Sequence, residues 1–235
     1  MPLEHLPNAP LVEAILEIRF PAEPAVFSRM DEYYDQIRND YPQVFVPNPN
    51  PTVAQALLPW QFKNPSAQRF VSVSINSFSF HVLDYKDYKD FRTSALPLAD
   101  AFCQLYRIRE LIRVGTRYVN CIIVLRAEDG TIPVREFLNF GFDLPKIVPK
   151  NELEDIHVQF ASRMGNGRLL TIIHHERESE DQPERLVFDL DFSLDKEVHA
   201  DSLGEHMNAA HAHIEDVFRG FVSNSYMRFM KGETL

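Results

Sequence analysis

The chain has 235 residues, with 34 acidic side chains, 24 basic side chains and two cysteines. A chain of this length forms one large domain or two small ones, and it buries a core without needing a disulfide or a metal to fold. Its formal net charge of −10 argues against general nucleic-acid binding and against binding to an anionic membrane surface, because basic side chains drive both interactions.

The first half of the chain opens with a strongly alternating segment. Residues 11–20 alternate between apolar and polar positions, which predicts a strand with one buried face. Apolar spacings of three and four then predict an amphipathic helix, and four prolines predict a connector without regular structure. Three alternating segments and another helical spacing complete this half. These later elements are a helix at 25–40, the connector at 42–51, strands at 54–62, 68–75 and 78–84, and a helix at 87–107.

The second half repeats this order of elements. A hairpin turn is predicted at Gly165 and Asn166, because both residue types tolerate positive φ. Asp201 or Ser202, followed by Glu205, predicts a capping box at the start of the last helix. The elements are a strand at 111–125, a helix at 134–140, a proline-bearing connector at 141–150, strands at 155–164, 168–176 and 185–194, and a helix at 202–230.

The repeated order predicts an internal duplication of a β-α-β-β-β-α unit. The two halves, residues 1–110 and 111–235, then belong to one domain that spans residues 1–235. By analogy with other duplicated folds, such pseudo-symmetric halves form a largely antiparallel sheet with their first strands adjacent at its centre. Long helices then cover one face of the sheet, which makes the predicted fold class α+β.

The two first strands carry opposite charges at equal spacing. Glu13 and Glu17 share one face of the first strand, and Arg113 and Arg117 share one face of the other. In an antiparallel pair, Glu13 is expected opposite Arg117 and Glu17 opposite Arg113, where each ion pair contributes roughly 0.2–1 kcal/mol. Gly115 leaves room for the long arginine side chains to lie flat. Two interpretations stay open: the charges fix the register of the strands, or they form a polar groove that binds a ligand or a partner.

Two motifs resemble the signatures of a known family. Residues 8–20, NAPLVEAILEIRF, match the pattern NAPLVEAxLExRF, and residues 113–120, RVGTRYVN, match RxGxRYxN. Over essentially its whole length the chain resembles a sporadically distributed bacterial and archaeal family that has no established activity or catalytic residues. The patchy distribution of that family is typical of mobile genes and implies a role in phage defence or in a toxin–immunity setting. Through the second motif, Tyr118 and Asn120 join the four charged residues as candidates for binding a ligand or a partner.

The sequence contains no recognisable motif for catalysis, metal binding or cofactor binding. The candidate histidines lack the spacing of a zinc site, and those of the last helix are predicted to be solvated. The candidates are His174, His175, His199, His206, His211 and His213. Asp189 and Asp191 share one strand face, as Mg²⁺ ligands do, but the acidic stretch around them favours a solvated surface. Cys103 and Cys121 lie in apolar segments and are predicted to be buried and reduced. We therefore predict no catalytic residue, no metal site and no cofactor.

The charges are unevenly distributed along the chain. Residues 107–126 carry five arginines and one glutamate, whereas residues 176–201 carry ten acidic and three basic side chains, so a local anion site stays open. No secretion signal or long apolar segment is evident, which predicts a cytoplasmic protein without a membrane span. The leading hypothesis is a non-enzymatic binding or accessory protein that acts through a protein partner or as a homodimer, in a phage-defence or mobile-element setting. The alternatives are a small-ligand binder with a cavity between sheet and helices, and an enzyme with a dispersed site.

Overall fold

A nine-stranded antiparallel sheet organises the fold. The computed structural model describes residues 6–48, 57–140, 155–177 and 183–234. This part of the chain contains the large sheet, a second sheet of two short strands, and six α-helices. The prediction of an α+β fold with a largely antiparallel sheet is therefore confirmed.

The structure contains eleven strands within its described residues. Their bounds are β1 (Leu11–Arg19), β2 (Gln43–Phe45), β3 (Trp60–Lys63), β4 (Arg69–Ser74), β5 (Ser77–Val82), β6 (Glu110–Leu111), β7 (Arg113–Val124), β8 (His157–Met164), β9 (Gly167–Glu176), β10 (Glu184–Leu194) and β11 (Val198–His199). The order across the large sheet is β2-β3-β4-β5-β1-β7-β10-β9-β8, and β6 pairs with β11. The two predicted charged strands, β1 and β7, are adjacent and antiparallel at its centre, as expected.

Two long helices contact the middle of the sheet. The helices are α1 (Pro24–Ser28), α2 (Met30–Ile37), α3 (Tyr88–Tyr106), α4 (Val134–Phe137), α5 (Leu203–Phe221) and α6 (Asn224–Met230). Helix α3 packs on β5, α5 packs on β7 and β10, and the two helices contact each other. The ring of Phe102 in α3 lies 5.1 Å from that of Phe78 and 5.3 Å from that of Tyr33, so aromatic packing joins helices and sheet. Within the described ranges, no helix has the length and apolar character to cross a membrane.

The proline-rich connector predicted at 42–51 contains a strand. Strand β2 occupies Gln43–Phe45 and pairs with β3 at one edge of the sheet. Pro42 and Pro47 flank these residues rather than interrupt them, so the segment keeps the N–H groups that pairing requires. The prediction of no regular structure is therefore wrong here, and residues 49–51 of that connector lie outside the described residues.

Two helices that were predicted to be continuous are interrupted. The helix predicted at 25–40 is split into α1 and α2 at Arg29, whose φ of −129° is not helical. The helix predicted at 202–230 is split into α5 and α6 at Val222 and Ser223, where Val222 adopts an extended conformation. Apolar spacing continues across both breaks, so periodicity alone does not reveal them.

Two smaller differences concern the ends of elements. The strand predicted at 54–62 begins only at Trp60 within the described part. Ser202 makes no side-chain capping bond to α5, because a 3-10 turn precedes this helix, and the predicted capping box is not formed through Ser202.

The hairpin between β8 and β9 turns at Gly165 as predicted, with φ of +57°. The connector predicted at 141–150 lies outside the described residues.

The break between α5 and α6 is tied to α4. The Ser223 N–H donates to the carbonyl oxygen of Phe137 at 2.9 Å. The Ser223 hydroxyl accepts a hydrogen bond from the Tyr226 N–H at 3.0 Å, which caps α6, and it donates to the carbonyl oxygen of Glu136. One serine therefore holds the start of α6 against α4.

Candidate functional site

The predicted site residues of strand β7 lie on opposite faces of the sheet. Tyr118 and Asn120 point towards α5, on what we call the helix face, whereas Arg113 and Arg117 lie on the other side, which we call the arginine face. Glu13 and Glu17 of β1 also lie on the arginine face. The six candidate residues therefore do not form one groove, because they lie on two faces of the sheet.

The register of β1 and β7 differs from the predicted register by two residues. Glu13 lies opposite Val119 and Glu17 lies opposite Gly115, so neither glutamate faces an arginine directly. A shift of two residues leaves every side chain on the same face, and the apolar alternation therefore cannot distinguish the two registers. The expected opposition of Glu13 with Arg117 is wrong. The predicted contact between Glu17 and Arg113 forms diagonally instead.

Arg113 connects three strands on the arginine face. Its guanidinium lies 3.1 Å from a Glu17 oxygen in β1 and 2.7 Å from an Asp191 oxygen in β10, with Asp195 at 3.4 Å. The side chain lies flat over Gly115, where an added Cβ would be only 2.6 Å from an Arg113 nitrogen. Burial raises the pKa of Asp191, with Glu17 acting in the same direction, although Arg113 opposes the shift.

The second arginine pairs with a buried carboxylate that was predicted to be solvated. Arg117 donates to Asp189 through two nitrogens at 2.9 and 2.6 Å, and this bond raises the Arg117 pKa. Asp189 is only 3% exposed, so the predicted solvated surface is wrong for Asp189, whereas Asp191 is half-buried and paired with Arg113. Glu13 instead contacts His81 of β5 at 2.8 Å. The arginine face thus carries ion pairs across β1, β7 and β10, and the contact between Glu13 and His81 adds a polar contact between β1 and β5.

A cavity lies on the helix face, between β7, α5 and the two ends of the described chain. Its volume is about 290 Å³. Tyr118 and Asn120 contribute from β7, and most of the remaining wall is apolar. The lining residues are Leu6, Pro7, Ala9, Pro10, Leu11, Tyr85, Lys86, Tyr118, Asn120, His211, Ile214, Glu215, Phe218 and Met230.

A tyrosine and a histidine form a hydrogen-bonded pair in the wall of this cavity, which also contains the polar side chains of Lys86, Asn120 and Glu215. The Tyr118 hydroxyl lies 3.0 Å from His211 Nδ1, and the imidazole stacks on Tyr88 with ring centroids 3.9 Å apart. His211 Nε2 is 3.9 Å from a Glu215 oxygen, and Arg219 holds this carboxylate at 2.6 Å. These contacts fix the ring and present one hydrogen-bonding pair to the cavity. The prediction of solvated histidines is wrong for His211.

Asn120 has a structural role beside the cavity. It is buried, and its side-chain nitrogen donates to the carbonyl oxygen of Phe188 in β10 at 3.0 Å. The bond satisfies a polar group that would otherwise be costly to bury. Sequence reasoning missed His211 and Glu215, although their spacing of four residues on a predicted helix placed both on one face.

Comparison with known proteins does not identify the chain: no family model matches its sequence, and no curated protein shows significant similarity to it. The resemblance of residues 8–20 and 113–120 to a sporadically distributed family therefore stays a prediction. Among the residues that the structure describes, no group of three or more histidine, cysteine, aspartate or glutamate side chains is arranged to hold a metal ion.

Proposed function

We propose that the protein binds a small molecule in the cavity on the helix face. The observation that carries this proposal is the Tyr118–His211 pair, which lies on the wall of an otherwise largely apolar space of about 290 Å³. Ligand pockets are typically roughly 300–1,000 Å³, mostly apolar, with a few placed polar groups. The cavity therefore suits a small ligand with an apolar body and one polar end.

Indole is a suitable first probe, because it combines an apolar ring system with one N–H donor. Binding is measured by isothermal titration of the full chain. We expect Tyr118→Phe to weaken indole binding by about fivefold, the usual effect of losing one hydrogen bond. Ile214→Phe, which places a larger side chain in the lining, is expected to abolish binding.

Tyr106→Phe is the matched control for this experiment. The Tyr106 hydroxyl is also partly buried and donates to the carbonyl oxygen of Arg29 at 3.0 Å, but Tyr106 does not line the cavity. We expect this variant to bind indole like the unaltered chain. Equal affinity of all three variants for indole would contradict a role for the cavity.

The predicted duplication is also retained as a proposal. Read outward from the central pair, the strand order is β1-β5-β4-β3-β2 on one side and β7-β10-β9-β8 on the other. On both sides the first strand is followed by three strands in reverse chain order, which supports pseudo-symmetric halves at 1–110 and 111–235, although the edge strand β2 has no counterpart among the described residues of the second half. The contacts of α3 with β5 and of α5 with β7 and β10 support helices that cover one face.

Action through a protein partner is the second candidate function. Large apolar side chains are exposed near one end of the central strands, namely Val12, Ile123 and Leu125. Exposed apolar side chains that cluster are typical of interaction surfaces. Cytoplasmic location, a homodimer and a phage-defence setting remain predictions beside it.

A further inference from the structure

The ladder between β1 and β7 ends at a proline. The Cys121 N–H donates to the Pro10 carbonyl oxygen at 2.8 Å, and Pro10 has no N–H with which to return the bond. The observed register places Leu11 opposite Asn120, so three further steps would place Asn8 opposite Ile123. The Asn8 N–H donates instead to the carbonyl oxygen of Met230 at 3.3 Å. The chain has therefore left the sheet before it reaches Ile123.

Strand β7 continues beyond this point with no pairing strand on the β1 side among the described residues. Backbone N–H and C=O groups of alternate residues point to the same side of a strand, so those of Ile123 point to the β1 side, as the N–H of Cys121 does. Strand β10 pairs with β7 from the opposite side as far as Val124. Within the described part of the chain, no strand pairs with the backbone of Ile123 on this side, and Ile123 therefore forms a short edge there.

A second cavity occupies the space in which β1 would have continued. Its volume is about 570 Å³, and its wall combines the end of β7, the segment before β1, and aromatic side chains from α4 and α6. Ile123, near the end of β7, and Leu125, just after it, are 62% and 77% exposed beside this cavity, and together they form an exposed apolar patch. The lining residues are Asn8, Ala9, Pro10, Cys121, Ile123, Leu125, Glu136, Phe137, Tyr226 and Phe229.

The geometry points to a docking site for an extended apolar peptide segment of a partner protein, which adds a strand beside Ile123. The backbone of Ile123 offers a donor and an acceptor at the position of the missing strand, and an extended main chain satisfies both. The aromatic wall formed by Phe137, Tyr226 and Phe229 accepts an apolar side chain of that segment. A small apolar molecule would fill the space without pairing the backbone, so the edge favours a peptide.

The test uses a fluorescently labelled, capped peptide of alternating valine and threonine, with the full chain, in an anisotropy titration. A matched peptide with N-methylated backbone amides keeps the side chains but loses the donors. We expect the first peptide to bind and the methylated peptide to bind at least about tenfold more weakly, since strand addition depends on main-chain bonds.

Ile123→Lys is the corresponding change in the protein. We expect it to weaken binding of the peptide by about tenfold, which is the usual effect of removing a central contact residue. Ile112→Lys is the control, because Ile112 is also an exposed isoleucine, 47% exposed, but lies before β7 begins. Circular dichroism establishes that both variants are folded. Failure of the peptide to bind, equal binding of the methylated peptide, or equal effects of both substitutions would overturn the proposal. A homodimer that Ile123→Lys dissociates would overturn it too, because a second copy would then be the occupant.

Discussion

The side chains on the two faces of β7 are stabilised by different interactions. On the helix face, Tyr118 lies among aromatic and aliphatic side chains, and stability comes from removing apolar surface from water. On the arginine face, Arg117 and its neighbour Arg113 are held by carboxylates from adjacent strands. Residues next to each other in sequence therefore experience different environments. A substitution on one face is expected to report on packing, and one on the other face on charge compensation.

The largest effect is expected on the helix face. Phe188 of β10 is fully buried, and its ring lies 6.0 Å from that of Phe218 and 5.4 Å from that of Phe221. We expect Phe188→Ala to lower the free energy of unfolding by about 3–5 kcal/mol, because it removes apolar contacts and leaves a cavity. Urea denaturation followed by circular dichroism measures the loss. A loss below about 1 kcal/mol would contradict the role of this face as the core.

A smaller effect is expected from removing the central arginine of the other face. Arg113→Ala removes the ion-pair partner of the half-buried Asp191 and leaves Glu17 paired with the exposed Arg19, and we expect a loss of about 2 kcal/mol in the same assay. Arg19→Ala is the control, because Arg19 contacts the same Glu17 but is exposed. Its removal should cost less than about 0.5 kcal/mol. Similar losses for both arginines would indicate that Arg113 is an ordinary surface charge.

The smallest effect is a change in pH dependence. The pKa of Asp191 is raised in the folded protein, so the folded state keeps a proton that the unfolded chain loses. The contribution of Asp191 to stability is therefore present at low pH and falls as the pH rises through this raised pKa. Asp191→Asn removes that fall.

We accordingly expect the stability of Asp191→Asn, relative to the unaltered chain, to improve between about pH 3 and pH 7. Urea unfolding at several pH values measures the difference. A relative stability that declines over this range would mean that Arg113 outweighs burial at Asp191, and the sign of the pKa shift would then be wrong.

The sequence predicted the secondary-structure elements better than the register in which the strands pair. Alternation identified β1, β7 and β10, because burial of one face imposes a period of two on the side chains. The same period made the register ambiguous by two residues, so Glu13 was assigned to Arg117 rather than to His81. Contacts between side chains of neighbouring strands determine the register, and a local sequence pattern does not reveal these contacts.

The candidate site was predicted only in part. Tyr118 and Asn120 were chosen with Arg117 because they share a motif, yet alternation alone places Tyr118 on the other face. Asp189 and Asp191 were judged by the acidic stretch around them, although they alternate with buried apolar residues of β10. The partner of Tyr118, His211, lies 93 positions further along the chain, and only the fold brings the two together.

The serine between α5 and α6 has a consequence for local opening of the fold. Amides at helix ends usually exchange their hydrogens with solvent quickly, because such ends fray. The Ser223 amide donates to Phe137, and the Ser223 hydroxyl also bonds to Glu136, so exchange at Ser223 requires α4 and α6 to separate. The amide hydrogen at this break therefore reports the lifetime of the closed pair of helices, and it should exchange more slowly than those at the exposed end of α6.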